Sequence, residues 1–322
     1  MQIALCCLWL PACSYRPIDS HAWEVHSFDK RLSSMAVIGG TVWVTSVCNG
    51  LFRWDGDTFR RSNMGFDTPG MDQISACPDG TAWGRQGSKL CQFDGLTWQH
   101  QASPGRLTSV HCASHTRAWA TTSHSVHRFS AGQWGRVFTA EGETAPQLAA
   151  IWGPSCDTNR AWVVGINGAL QVTATGTAPI AALEHRMLTS VTGYEGASCQ
   201  LDVIASGNEV WRRKSAGAGE VWQHQRSSKP LLLEQDSWWS SEHGVLIKTN
   251  AEGEHRDEEL LADLDVGVTR WLSHVARDAV GRLWVLGHDT MGAGCGANAM
   301  WPDCCQPVGS RSFVARRRDL LW

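Results

Sequence analysis

Three groups of side chains in this chain have chemistry beyond packing: twelve cysteines, thirteen histidines and several carboxylates. Cys77, Cys112, Cys156 and Cys199 follow one another at intervals of 35, 44 and 43 residues. Cysteines at such regular intervals occupy equivalent places in successive structural units. Neighbouring units then bring pairs within the roughly 7 Å between Cα atoms that a disulfide needs. Cys77–Cys112 and Cys156–Cys199 are the preferred pairs. The competing reading is that of small buried hydrophobes. Cys295 with Cys304 or Cys305 would staple a long late loop. No Cys-x-x-Cys pair occurs, and adjacent Cys304 and Cys305 suit tetrahedral zinc poorly. We therefore expect no metal and no cofactor.

His111, His115, His124 and His127 cluster in one stretch. His124 and His127 flank an expected strand turn, where alternation puts residues three apart on opposite faces. Joint metal ligation is disfavoured, and surface histidines are the simpler reading. The acidic run from Glu252 to Glu259 lacks the spaced oxygens of a calcium loop and reads as a solvated segment. Arg316-Arg317-Arg318 reads as a solvated tail. There is no nucleophile elbow, no phosphate-binding glycine loop and no dinucleotide fingerprint. Spacing in three dimensions decides whether two carboxylates form a glycosidase pair. Asp and Glu in turns serve backbone amides in any case.

The tryptophans act as rulers for the elements behind these residues. Gly40-Thr41-Val42-Trp43 recurs as Gly80-Thr81-Ala82-Trp83, then as segments ending at Trp119 and Trp162. Ile204 keeps the position without Trp, and Trp238 and Trp284 complete the series. The steps are 40, 36, 43, 42, 34 and 46 residues. Each copy holds an apolar run, a turn, the anchored strand, a Gly turn, an alternating strand such as Leu51-Phe52-Arg53-Trp54, and an Asp-Gly turn. A strand ending in an aromatic closes it. Four short strands per forty residues is the arithmetic of a propeller blade. The expected fold is all-β: a seven-bladed β-propeller of four-stranded antiparallel blades. Irregularity over residues 225–280 leaves six or eight blades as alternatives. Ala22-Trp23-Glu24-Val25-His26 resembles the fourth-strand segments and can close the ring. Ser312-Phe313-Val314-Ala315 competes for that role. The anchor tryptophans should fill the wedges between blades, each indole N–H reaching a backbone carbonyl. A sugar-stacking role suits the irregular Trp239, Trp271 and Trp301 better.

Ahead of the repeats, residues 1–12 are almost entirely apolar and too short to span a bilayer. Leu10-Pro11-Ala12-Cys13 resembles a bacterial lipobox, which implies cleavage before Cys13 and its lipidation. Residues 13–21 then form a linker, and 22–322 the single propeller domain.

Ile151-Trp152-Gly153-Pro154 and Ala161-Trp162-Val163-Val164-Gly165-Ile166-Asn167-Gly168 resemble repeats of exported bacterial propellers. Those are of the photosystem-assembly-factor-like and myxobacterial lipoprotein kind. The resemblance implies a fold and an exported location. Asp94-Gly95-Leu96-Thr97-Trp98 is similar to the Asp-box of sialidase-like propellers but one residue short, so none of that chemistry is carried over.

Composition narrows the function. The chain is 43% hydrophobic and 18% charged, enough to form a core. Its net charge of −3 argues against nucleic acid. The expected role is a non-enzymatic binding or scaffold propeller of the bacterial cell envelope, monomeric, taking a protein or glycan on one ring face. The membrane is met only through the Cys13 anchor. The site is expected at the long last-blade loop, His288 and Asp289, with His243 and His124 on neighbouring loops. The alternative is an exported glycosidase or lyase on the same scaffold.

Overall fold

The computed structural model describes residues 23–29, 31–46, 49–62, 70–141, 147–196, 199, 201–207, 209–216, 219–225, 230–234, 237–242, 245–250, 255–260, 270–289 and 311–317. They form a seven-bladed propeller. Blade 1 is β2 (Leu32–Ile38), β3 (Thr41–Ser46), β4 (Gly50–Trp54) and β5 (Phe59–Arg61). Blade 2 is β6 (Gln73–Ala76), β7 (Ala82–Gln86), β8 (Lys89–Phe93) and β9 (Trp98–Gln101). Blade 3 is β10 (Leu107–Ser114), β11 (Arg117–Thr122), β12 (Ser125–Ser130) and β13 (Gln133–Thr139). Blade 4 is β14 (Gln147–Trp152), β15 (Arg160–Ile166), β16 (Gly168–Thr173) and β17 (Gly176–Pro179). Blade 5 is β18 (Leu188–Glu195), β19 (Leu201–Gly207), β20 (Val210–Ala216) and β21 (Gly219–Gln225). Blade 6 is β22 (Pro230–Glu234), β23 (Ser237–Glu242), β24 (Val245–Asn250) and β25 (His255–Leu260). Blade 7 is β26 (Arg270–Arg277), β27 (Leu283–Asp289), β28 (Arg311–Arg317) and β1 (Trp23–Phe28).

The two segments that compete for ring closure both belong to blade 7. β28 is its third strand and β1 its fourth, running from Trp23 opposite Arg317 to Phe28 opposite Ser312. One sheet thus joins both ends of the described chain and leaves no open seam. The first strands touch one another all round the ring, β26 meeting β2.

The core is a ring of wedges, with an apolar cluster at each of the seven blade junctions. Trp43, Trp83, Trp119, Trp162 and Trp284 each pack toward the following blade and are at most 2% exposed. The irregular stretch is a one-residue change of partner. In blade 6 it is Trp239 that packs toward blade 7, while Trp238 turns back onto Ile204 of blade 5. Adjacent strand residues face opposite ways, so a double Trp serves both junctions. Trp239, at 2% exposure, therefore belongs to the core rather than to a sugar-stacking surface. The Trp301 residue and the Trp271 side chain lie outside the described residues.

The indoles also bond differently from expectation. Nε1 of Trp284, Trp239 and Trp211 donates to Asp278, Glu234 and Glu209, not to carbonyls. Nε1 of Trp83, Trp119 and Trp162 finds no acceptor among the described residues. Arginines cover several rings from the adjacent strand. Arg53 lies 5.5 Å from the Trp43 ring, Arg128 5.6 Å from Trp119 and Arg316 5.6 Å from Trp284. Each is the cross-strand partner of its Trp. The cation lies over the negative ring face while its stem shields the indole.

Candidate functional site

The chain direction gives the ring two unlike faces. One carries the turns from first to second strands, here the A–B face. The other carries the turns from second to third strands and the links between blades, the B–C face.

The A–B face is cross-tied. Cys77–Cys112 joins blades 2 and 3 with Cα atoms 5.1 Å apart, and Cys156–Cys199 joins blades 4 and 5 at 5.7 Å. These are the two preferred pairs. Beside the first, Asp79 Oδ2 accepts the His115 backbone N–H at 2.7 Å. Between blades 3 and 4, His111 Nε2 lies 2.7 Å from Gly153 O. Burial pulls His111 down to about 4, against the opposing pull of that carbonyl and of Glu195. Glu195 reaches back from blade 5 to accept from Ser155 N, Ser155 Oγ and Cys156 N. Glu234 of blade 6 takes Arg277 of blade 7 at 2.6 Å and Lys248 at 3.1 Å. The first turn of blade 1 is Gly39-Gly40, with φ of +54° and +79°. A Cβ at Gly40 would stand 3.0 Å from Ala279 Cβ of blade 7, so only glycine gives both the handedness and the fit.

Carboxylates at this end of the ring, on the first-to-second and third-to-fourth strand turns, hold their protons weakly. Asp55 is lowered by the amides of Thr58 and Asp57, and Asp94 by those of Thr97 and Leu96. Burial opposes ionisation of Asp79, Glu234 and Asp278, yet their bonded donors outweigh it and all three are lowered.

On the B–C face the ties are hydroxyls. In six blades the first strand carries a bulge near its start, with one extra residue: Ser33, Thr108, Ala149, Thr189, Leu231 and Ser273. Ser33 Oγ lies 2.8 Å from both Thr45 Oγ1 and Met71 O. Thr108 Oγ1 lies 2.9 Å from Thr121 Oγ1. Thr189 and Ser273 reach Ser206 O and Leu286 O. Lateral side chains link the first strands: Ser34 Oγ accepts Ile74 N, Gln73 brackets the Val110 backbone, and Ser75 Oγ accepts Cys112 N. Sequence reasoning missed this set. Its signal is a Leu followed by two hydroxyl residues where three of the first strands begin, at Leu32-Ser33-Ser34, Leu107-Thr108-Ser109 and Leu188-Thr189-Ser190.

His288 sits near the end of β27, Nδ1 at 2.9 Å from Ser312 Oγ and Nε2 at 3.3 Å from Ser273 Oγ. Ser273 Oγ also meets His274 Nδ1 at 3.0 Å, and Ser312 Oγ accepts Leu32 N of blade 1 at 3.0 Å. This chain of His and Ser crosses the closing junction. Asp289 is the last residue of β27, opposite Arg311, and its side chain lies outside the described residues. His243, Cys13, Cys295 and Cys304 lie outside them too. His124 occupies the exposed turn after β11, its N–H on Thr122 Oγ1. The expectation that His124 neighbours the last-blade loop fails on topology: in a ring of seven, blade 3 does not touch blade 7. The surface reading fails for His111, which packs into a junction, and for His127, which is 7% exposed. No group of three His, Cys, Asp or Glu able to hold a metal occurs among the described residues.

No protein-family profile matches this chain, and no curated protein matches it. Solved structures do. Virginiamycin B lyase from Staphylococcus aureus is 12% identical, covers 82% of this chain and 95% of its own, and has a TM-score of 0.60. YCF48 from Cyanidioschyzon merolae is 14% identical over 83% and 96%, also at 0.60. The extracellular domain of a proposed hybrid two-component system of B. thetaiotaomicron is 10% identical over 80% of this chain and 39% of that one, at 0.55. These likenesses share the propeller fold and differ in function, so they establish the fold alone.

Proposed function

We propose that this chain is an exported binding propeller of the bacterial envelope that presents its B–C face to a protein or glycan. It would be monomeric, anchored through a lipid on Cys13, and of the exported repeat kind that its Trp-x-Val-Gly segment resembles. The observation that carries this reading is the contrast between the two faces. The A–B face spends its disulfides, carboxylates and His111 on ties between blades. On the B–C side β27 ends at Asp289 and β28 begins at Arg311, with 21 residues between them in sequence. Binding residues concentrate on loops that a rigid scaffold positions. Two disulfides favour an oxidising compartment, and an extracellular domain among the similar folds accords with it.

Five of the described carboxylates are poor candidates for the general acid of the glycosidase alternative. A general acid in sugar cleavage needs its pKa raised. Asp55, Asp79, Asp94, Glu234 and Asp278 are all moved the other way.

The test is a photo-crosslinking amino acid placed at four turns in the native host. Positions 124 and 167 sample B–C turns, and positions 157 and 132 sample the opposite end. Covalent adducts confined to 124 and 167 are expected. Adducts confined to 157 and 132 would overturn the proposal.

A further inference from the structure

The outer wall between blades 2 and 3 contains a cleft of about 530 Å³, inside the usual range for small-ligand sites. It is lined by Gln101 and Ser103 of the blade 2 side and by His127, Phe129, Trp134 and Arg136 of blade 3. It runs along the outer wall, with the blade 2 to blade 3 link at Ala102–Pro104 as one edge, and its argument does not depend on the B–C reading.

The lining follows from strand register. His127 is opposite Arg136, and Phe129 is opposite Trp134, on the same pair of strands. Residues two apart share a face, so all four point toward blade 2. Phe129 and Trp134 pack there against Trp83, with the Phe129 and Trp134 rings 5.4 Å apart. A register shift between Val126 and His127 re-aims the strand at this point. The place of His127 is held by Phe52, Cys91, Leu170, Trp211 and Ala315 in other blades, judged by the same pairing to the second strand. Blade 3 alone among these puts a polar ring into a junction that the others fill with apolar groups.

A relay of hydroxyls leads to that ring. Thr122 Oγ1 accepts two backbone donors, Ser125 N at 2.9 Å and His124 N at 3.2 Å. Its own hydrogen must then go to Ser125 Oγ, 2.6 Å away. With Ser125 donating in turn to His127 Nε2, 2.7 Å away, the two hydroxyls form one relay toward the ring. In that relay a neutral His127 carries its proton on Nδ1, which bonds to no described group. Burial, and then Arg136, lower the pKa of His127, which keeps the ring neutral at neutral pH. Arg136 is exposed and makes no ion pair with any described residue.

We propose that this cleft binds an acidic glycan, the carboxylate of a uronic acid residue bridging the Arg136 guanidinium and His127 Nδ1–H while the next pyranose lies on Trp134. Guanidinium and imidazole N–H supply charge-assisted donors for a carboxylate. The tryptophan offers an apolar platform to a sugar's C–H face.

The probe is digalacturonate, titrated by calorimetry at pH 7, with cellobiose as its neutral counterpart. Millimolar or tighter binding of digalacturonate is expected, at least tenfold stronger than cellobiose. Arg136→Gln should weaken it about tenfold. His127→Phe, which restores the apolar residue of blade 1, should abolish it. Arg136 is at the surface, so its variant should fold even where His127→Phe does not. Equal affinity for the two disaccharides, no binding of either, or an unchanged affinity in Arg136→Gln would overturn the proposal.

Discussion

Replacing Cys77 and Cys112 together by serine tests the cross-tied face most simply. The bridge closes a chain segment of 35 residues between blades 2 and 3. In the chain-entropy picture a cross-link over that length removes about 4 kcal/mol of freedom from the unfolded ensemble at 25 °C. Both cysteines are at least 95% buried, so serine adds a small polar cost in the same direction. The Asp79 bond to His115 remains, and the junction should stay closed in the folded protein. The expected result is therefore a native ring that unfolds roughly 4 kcal/mol more easily. Guanidinium unfolding followed by tryptophan fluorescence measures this, since the junction tryptophans report each wedge. The Cys156–Cys199 bridge spans 43 residues and should give about the same loss. Dithiothreitol should lower the wild type by both amounts and the double variant by one fewer. A Cys77→Ser, Cys112→Ser protein within about 0.5 kcal/mol of the oxidised wild type would refute the reasoning, being no more than an ordinary surface change.

Gly165→Ala should cost about 3 kcal/mol or more, because its Cβ would stand 1.9 Å from Gln147 O; Gly176→Ala, with nothing within 4 Å, should be near neutral by the same melt. His111 has a folded pKa lowered to about 4 from the ordinary 6.5, so the unfolded chain takes up the proton first. Its contribution is complete above about pH 6.5 and erodes as pH falls toward 4, by up to about 3 kcal/mol; His111→Gln should flatten the stability profile over that window, and an unchanged slope would contradict it. Burial pushes the Cys91 thiol up to about 12, so peptide mapping after maleimide treatment at pH 8 should find it unlabelled until the protein unfolds.

The repeat was legible because each blade must bury a large side chain at one place in its second strand. Trp43, Trp83, Trp119, Trp162 and Trp284 announce that place at a nearly constant interval. The cysteine pairs followed, since equivalent positions on adjacent blades are necessarily close. Blade 6 was misread by one residue, since Trp238 and Trp239 are both tryptophan and only strand pairing shows which way each faces. Ring closure was ambiguous for a related reason: β1 and β28 both fit an outer position, and only register orders them. The candidate site was the least legible. Which histidines meet which hydroxyls depends on bulges in the first strands, a shift of one residue that composition does not show. The cleft at His127 depends on a cross-strand pair, His127 with Arg136, nine residues apart in sequence.

The most direct test of a working B–C face is hydrogen exchange on the wild-type protein with and without a solubilised envelope fraction. Protection is expected at the turns around residues 122–125, 166–168 and 185–187, with the cross-tied turns at 78–81 and 153–159 unchanged. Protection confined to 78–81 and 153–159 would contradict the account.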